Sequence, residues 1–417
     1  MRAALLVVIA LTIIGAVFIV RWQTGRTLAE LPATGTADAR TLASIAVSYA
    51  PDDPLAHRFA AAVEKNTIAS GNSTAALAEY ERAVALAPHD YRLWLDLARA
   101  REQAGQTAGA EAAFRRAVEL APNYAQPRWL YGNYLLRANR QSEAFLEMRK
   151  AARLHTILRG QVIAAAWDAL GENPTAVEAA VGSEPPVRAA LGLFYAQKNR
   201  ADDALRVWRG LSAAERREHQ TIGARITDYL HFTENHRAAL ELRRELGIEP
   251  NAAVATIVNS GFESEITKPG AAFFQWDIAQ LKNLEISIDQ AGARQGNRCL
   301  QLNFTGYNDP TLAAISQLIV VEPAARYQLG FAVRTGDLKS AGAPLIEIAD
   351  AKTSRVLGQS APFATGTTDW RNVNVNFVAP ANVESVLIRT ARANCAGNCP
   401  IVGTLWYDDF NLQRVGK

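Results

Sequence analysis

The side chains that could do chemistry are few, and their spacing limits what they can do. Three cysteines, Cys299, Cys395 and Cys399, all fall in the C-terminal third, the last two four residues apart in NCAGNCP. A disulfide across that glycine-containing loop is sterically reasonable and implies an oxidising compartment. A metal site there is the weaker reading, because no histidine follows His236. The histidines are scattered, and His231 and His236 are five apart, so they do not share a helix face as an i, i+4 ligand pair would. Asp408 and Asp409 are adjacent in WYDDF, and strand neighbours point to opposite faces, which argues against a paired acid and base. No nucleophile stands beside a base, and no glycine loop suits a phosphate. These observations point to a binding protein and away from an enzyme.

The elements that must carry any binding surface begin with a repeat. Ala76, Tyr80, Ala83 and Pro88 return thirty-four residues later as Ala110, Phe114, Ala117 and Pro122. Spacings of four and three put the small and bulky residues on one helix face, and the proline ends the helix. Gly132 and Ala144 continue the pattern, and Gly192 and Ala204 resume it after a stretch crowded by Asn173, Pro174, Pro185 and Pro186, where one unit is shortened. Small residues are needed where two helices of a hairpin cross closely, since overpacking costs about 1–3 kcal/mol. A period of 34 with this pattern resembles the tetratricopeptide repeat family, over residues 40–247. That resemblance implies a scaffold whose concave face takes a protein partner. Trp94, Trp129, Tyr131 and Trp208 lie at helical spacing and are read as filling space between helices.

Upstream, Ala3 to Val20 is an uncharged run of eighteen residues between Arg2 and Arg21. It is long enough to span a bilayer, and Trp22 stands where a signal peptide would need small residues. The expectation is a retained signal-anchor over 1–22, a linker over 23–39, and a single-pass protein of the cytoplasmic membrane. If the cysteine pair is oxidised, the body lies outside that membrane, in the periplasm or its equivalent. The formal net charge of +3 and the balance of 14 basic against 14 acidic residues in 256–417 leave no footprint for nucleic acid.

At Gly247 the texture changes to short alternating runs bounded by Gly, Pro, Asn or Asp: VATIV, CLQLNF, SQLIVV, YQLGFAV, PLIEIAD, NVNVNFVA, VLIRTA and TLWYDDF. Eight such runs predict an antiparallel β-sandwich over 255–417. The NSGFE of 259–263, Trp276, the glycine turn 292–296, Trp370 and the WYDDF of 406–410 occur in the order that resembles jelly rolls of carbohydrate-binding modules of the family 4 and 9 type. The resemblance implies a possible structural calcium held by Glu263 with Asp408 or Asp409, hard oxygen ligands that suit this ion. It also implies glycan stacked on exposed aromatic rings, for which Trp276, Tyr307, Trp370 and Trp406 are candidates. Large aromatics equally build cores.

The fold expected is therefore multidomain: a transmembrane helix, an α-helical tetratricopeptide solenoid and a C-terminal jelly-roll sandwich. The function expected is a non-catalytic envelope or exopolysaccharide scaffold that binds a protein partner through its repeats and polysaccharide through its sandwich. The alternative is a scaffold for proteins alone.

Overall fold

The computed structural model describes residues 2–33, 37–66, 73–266, 270, 272–393 and 399–416. They form two compact units, residues 1–183 and 184–417.

The first unit is helical: α1 Arg2–Ala29, α2 Ala37–Tyr49, α3 Pro54–Asn66, α4 Ser73–Leu86, α5 Tyr91–Gln103, α6 Thr107–Leu120, α7 Ala125–Arg137, α8 Gln141–Leu154, α9 Leu158–Ala169 and α10 Pro174–Val181. The repeat register holds. Ala76, Tyr80, Ala83, Ala110, Phe114, Ala117 and Ala144 are buried, and α4 and α6 stop two residues before Pro88 and Pro122. Gly132 marks the tightest crossing of α7 on α8, because a Cβ there would lie 2.6 Å from Met148 Cγ and 3.1 Å from the Ala144 carbonyl oxygen. Pro174 opens α10 instead of breaking a helix, and the Asn173 side chain caps it by accepting from the Ala176 N–H. At eight residues α10 is the shortened unit.

The stretch 23–39 differs from the expected linker. The helix runs on through Ala29, since no breaker occurs before Pro32. Gly25 lets α1 approach α2 so closely that a Cβ would sit 2.8 Å from the Ala46 oxygen. Trp22, Leu28 and Ala29 pack on the same cluster as Ala43, Ala46 and Phe59. By length and composition, Leu5–Ala29 is apolar enough to cross a membrane, and its exposed apolar side chains lie between Leu5 and Val20.

The second unit opens with α11 Pro185–Gln197, α12 Ala201–Arg209, α13 Ala213–Glu218, α14 Gln220–Phe232 and α15 His236–Glu245. Gly192 and Ala204 again meet at a crossing: a Cβ on Gly192 would lie 3.5 Å from the Ala204 oxygen and 3.1 Å from Ile226 Cδ1. The change of texture at Gly247 is not a packing boundary. His236 Nδ1 lies 2.7 Å from Ser385 Oγ in a buried contact, and Arg237 donates to the Val321 carbonyl at 2.9 Å. Buried Arg243 pairs with buried Glu249, whose carboxylate also accepts from the Phe273 and Phe274 N–H groups. The Phe273 ring has His231 stacked on it at 4.0 Å and the Arg243 guanidinium at 3.8 Å.

Two five-stranded antiparallel sheets follow. One has the order β1 (Asp277–Ile278), β4 (Ile315–Val320), β9 (Ser385–Arg392), β6 (Pro344–Asp350), β7 (Val356–Gln359); the other β2 (Leu284–Asp289), β3 (Cys299–Tyr307), β10 (Ile401–Arg414), β5 (Arg326–Ser340), β8 (Gly366–Val378). The core between them holds Leu302, Tyr327, Phe331, Ile346, Ile388 and Tyr407 among others. VATIV, expected as a strand, is a turn-rich segment in which Ala255 takes φ 54° and its N–H reaches the Val320 carbonyl. The left-handed residue breaks the extended backbone that the apolar run suggests.

Candidate functional site

Strand alternation divides the second sheet into two faces. Tyr327, Leu329, Phe331 and Val333 of β5 point into the core, as do Val375 and Phe377 of β8 and Leu405 and Tyr407 of β10. The even-numbered partners, Gly330, Ala332 and Arg334 on β5 with Asn372, Asn374 and Asn376 on β8, therefore form the opposite, open face. Ser287, Gln301, Trp406 and Arg334 are successive register partners across β2, β3, β10 and β5. Trp370 of β8 closes that row: the Arg334 guanidinium lies 4.1 Å from the Trp406 ring centroid and 5.2 Å from that of Trp370.

Beside the indoles the face is amide-rich. Gln328 donates to Asn376, and Gly330 lies so close beneath Asn411 and Asn374 that a Cβ would meet both within 3.2 Å. A cleft of about 450 Å³ opens there, lined by Arg294, Gln295, Asn372, Asn374, Asp409 and Asn411 with others. Stacking surfaces next to amides that both donate and accept suit a ligand dense in hydroxyl groups.

Of the four aromatic candidates, only Trp370 and Trp406 belong to this face. Trp276 and Tyr307 are core residues: the Trp276 indole packs edge-on to Phe410 at 4.9 Å and donates to the Asn259 carbonyl, and the Tyr307 hydroxyl donates to the Thr311 carbonyl. Their polar tips are spent internally, which is what lets an indole or a phenol be buried.

Two of the three carboxylates expected to hold calcium, Glu263 and Asp408, are engaged by the loop 292–298. Asp408 Oδ2 accepts from the Arg294 and Gln295 N–H groups at 2.9 and 3.3 Å, and Asp408 Oδ1 from Asp409 N–H at 2.8 Å. Glu263 Oε1 accepts from Asn297 and Arg298 N–H at 2.9 and 3.1 Å. Peptide N–H groups present positive ends where a cation would need further oxygens, so Glu263 with Asp408 as arranged does not fit a calcium ion, whereas Asp409 Oδ2, the other expected ligand, is shielded from solvent and accepts no hydrogen bond among the described residues. Among the described residues no group of three or more His, Cys, Asp or Glu side chains is placed to hold a metal.

Asp408 and Asp409 do not alternate as a regular strand would require. Asp409 takes φ 53° at an irregularity in the β10–β5 register, so two residues separate Tyr407 and Phe410, which both face the core. The bulge turns Asp409 into the cleft, 3.7 Å from Arg294 Nε. Burial and then the Asp408 charge push its carboxyl above the usual range, against the pull of Arg294.

Cys399 is disulfide-bonded, and Cys395 lies outside the described residues. Cys299 is a free buried thiol, pushed up to about 12 by burial and then by Asp289 and Asp408.

Sequence reasoning missed Arg334, Asp289 and the asparagine row. The row was visible: NVNVN places an amide at every second residue, the pattern of a strand with one wet face. Arg334 carried no local signal, because its two indole neighbours come from 36 and 72 residues away.

Residues 67–133 match the model of the tetratricopeptide repeat. No curated protein matches the chain. Among solved structures, a CBM4 module is 16% identical with a TM-score of 0.30, covering 38% of this chain and 100% of that one. TmCBM61, solved in complex with β-1,4-galactotriose, is 19% identical with a TM-score of 0.26, covering 39% and 100%. YrrB, a TPR protein with an unusual peptide-binding site, is 15% identical with a TM-score of 0.26, covering 52% and 95%.

Proposed function

We propose that this protein is a membrane-anchored, non-catalytic scaffold whose tetratricopeptide hairpins bind a protein partner and whose open sheet face binds glycan. The observation that carries the glycan half is the outward placement of Trp370 and Trp406 beside the asparagine row. Indoles left partly exposed on a sheet face cost apolar hydration that a stacked sugar ring would recover. The disulfide-bonded Cys399 supports a body in the periplasm or its equivalent, since such bonds persist in oxidising compartments. The apolar helix Leu5–Ala29 supports the anchor. Envelope or exopolysaccharide assembly is the setting in which an anchor, a partner-binding array and a glycan face are all used.

The test is affinity electrophoresis of the full-length chain in detergent against a panel of polysaccharides. Retardation by at least one polymer that Trp406→Ala reduces is the expected result. If no polymer retards the protein while it still captures a defined membrane protein, the scaffold acts on proteins alone and the glycan half is wrong.

A further inference from the structure

We propose that the open face selects an acidic glycan, one whose sugars carry carboxylates, and that Arg334 is the residue that reads the charge. This rests on the glycan reading above and names the class of glycan.

The Arg334 side chain donates no hydrogen bond among the described residues, and its Nε is shielded from solvent without a partner. Its side chain is nevertheless 25% exposed, so part of the guanidinium edge is reachable. The nearest carboxylate, Asp289, is 3.9 Å from Arg334 Nη2, beyond hydrogen-bonding distance. Both Asp289 oxygens are already occupied: Oδ1 accepts from Ala291 and Gly292 N–H at 2.8 and 3.2 Å, and Oδ2 from Trp406 Nε1 at 2.9 Å. The turn is built around the pair, since a Cβ on Gly292 would fall 2.5 Å from Arg334 Nη2 and 2.6 Å from Asp289 Oδ2.

The outcome is a cation with its position fixed and its donors unspent. Trp406 and Trp370 hold the guanidinium by cation–π contact, which restrains the side chain without using its N–H groups. A planar fork of this kind pairs with a carboxylate through two parallel hydrogen bonds. Neutral sugar hydroxyls need donors and acceptors in balance, which the nearby Asn372 and Asn374 already supply. A sugar ring on an indole face would bring a ring carboxylate within reach of Arg334.

The experiment uses full-length protein in detergent and three probes, polygalacturonate, alginate and hyaluronan, each beside its carboxyl-reduced counterpart. At least one acidic polymer is expected to bind roughly tenfold more tightly than its reduced form, the scale of one charge-assisted contact. Added salt should narrow that gap. Arg334→Gln should abolish the preference, bringing the affinity for each acidic polymer to that for its reduced form. Arg334→Lys, with the charge but without the fork, should recover part of it, and Trp406→Ala should weaken both. Equal binding of acidic and reduced polymers, or a preference that survives Arg334→Gln, overturns the inference and leaves glycan binding intact. Binding of none of these polymers, nor of any in the wider panel, overturns both.

Discussion

Four arginines on the helical hairpins between residues 73 and 154 reach across to carboxylates on another helix, whereas the central arginine of the open sheet face keeps its side-chain hydrogen bonds unmade. Arg101 meets Glu81 at 2.9 Å, Arg128 meets Glu147 at 2.7 Å, and Arg137 and Arg140 meet Glu102 and Glu111 at 2.8 Å each. Such surface pairs add about 0–1 kcal/mol apiece. Their larger effect is to occupy these four arginines and four glutamates, so a partner that meets them must compete with existing pairs or use shape and apolar contact. Tyr124, exposed and 5.5 Å from Tyr91, offers that kind of contact. On the sheet face, by contrast, Arg334 has no carboxylate within hydrogen-bonding distance among the described residues.

The largest expected effect separates indoles that look alike in sequence. Trp276→Ala should cost about 3–5 kcal/mol in urea unfolding, as for other buried Trp truncations, whereas Trp370→Ala should cost well under half as much. Equal losses would mean that Trp370 is a core residue and the open face is wrongly drawn. Next comes the hairpin crossing: Ala110→Trp should lower stability by about 1–3 kcal/mol or more, and Ala104→Trp, at an exposed helix end, should change it little. Matching melting temperatures would remove the repeat register.

A smaller effect concerns the contact of α15 with the sandwich. Burial, then the charges of His231 and Lys352, push His236 down to about 4 from its usual 6.5. Between those values the unfolded chain takes up a proton that the folded chain refuses, so stability is full above about 6.5 and falls as pH drops toward 4. His236→Gln should make the pH dependence of the midpoint shallower, leaving the share from His231, which is shifted the same way. An identical slope in the variant would contradict the buried neutral imidazole. The smallest effect is that of calcium: millimolar amounts are expected to leave the melting temperature unchanged. A rise that Asp408→Asn abolishes would place a cation where the loop amides of 294 and 295 now donate.

The repeat was legible because its signals are local. Ala110, Phe114 and Ala117 sit within one helix, so spacing alone fixes their shared face. The sandwich was legible as a class for the same reason, strand by strand. Its site was not, because strand order decides which side chains become neighbours. Trp406 meets Arg334 through the β10–β5 register, and no local pattern announces that pairing. Asp409 shows the limit of alternation, since one left-handed residue moved a carboxylate from its expected face. The texture change at Gly247 marks where the helices end, but not that the two sides pack on each other, as the Arg243–Glu249 pair ties them together.

The unbroken course of α1 has a mechanical consequence. Between Val20, the last exposed apolar residue of the run, and Gly25, where α1 closes on α2, there are five residues of continuous helix, a rise of about 7.5 Å at 1.5 Å per residue. With the apolar part of α1 in a bilayer, the first hairpin would be held against the lipid headgroups by a stiff shaft. Rotation or tilt of that shaft would pass directly into α2 and α3, with no tether to absorb it.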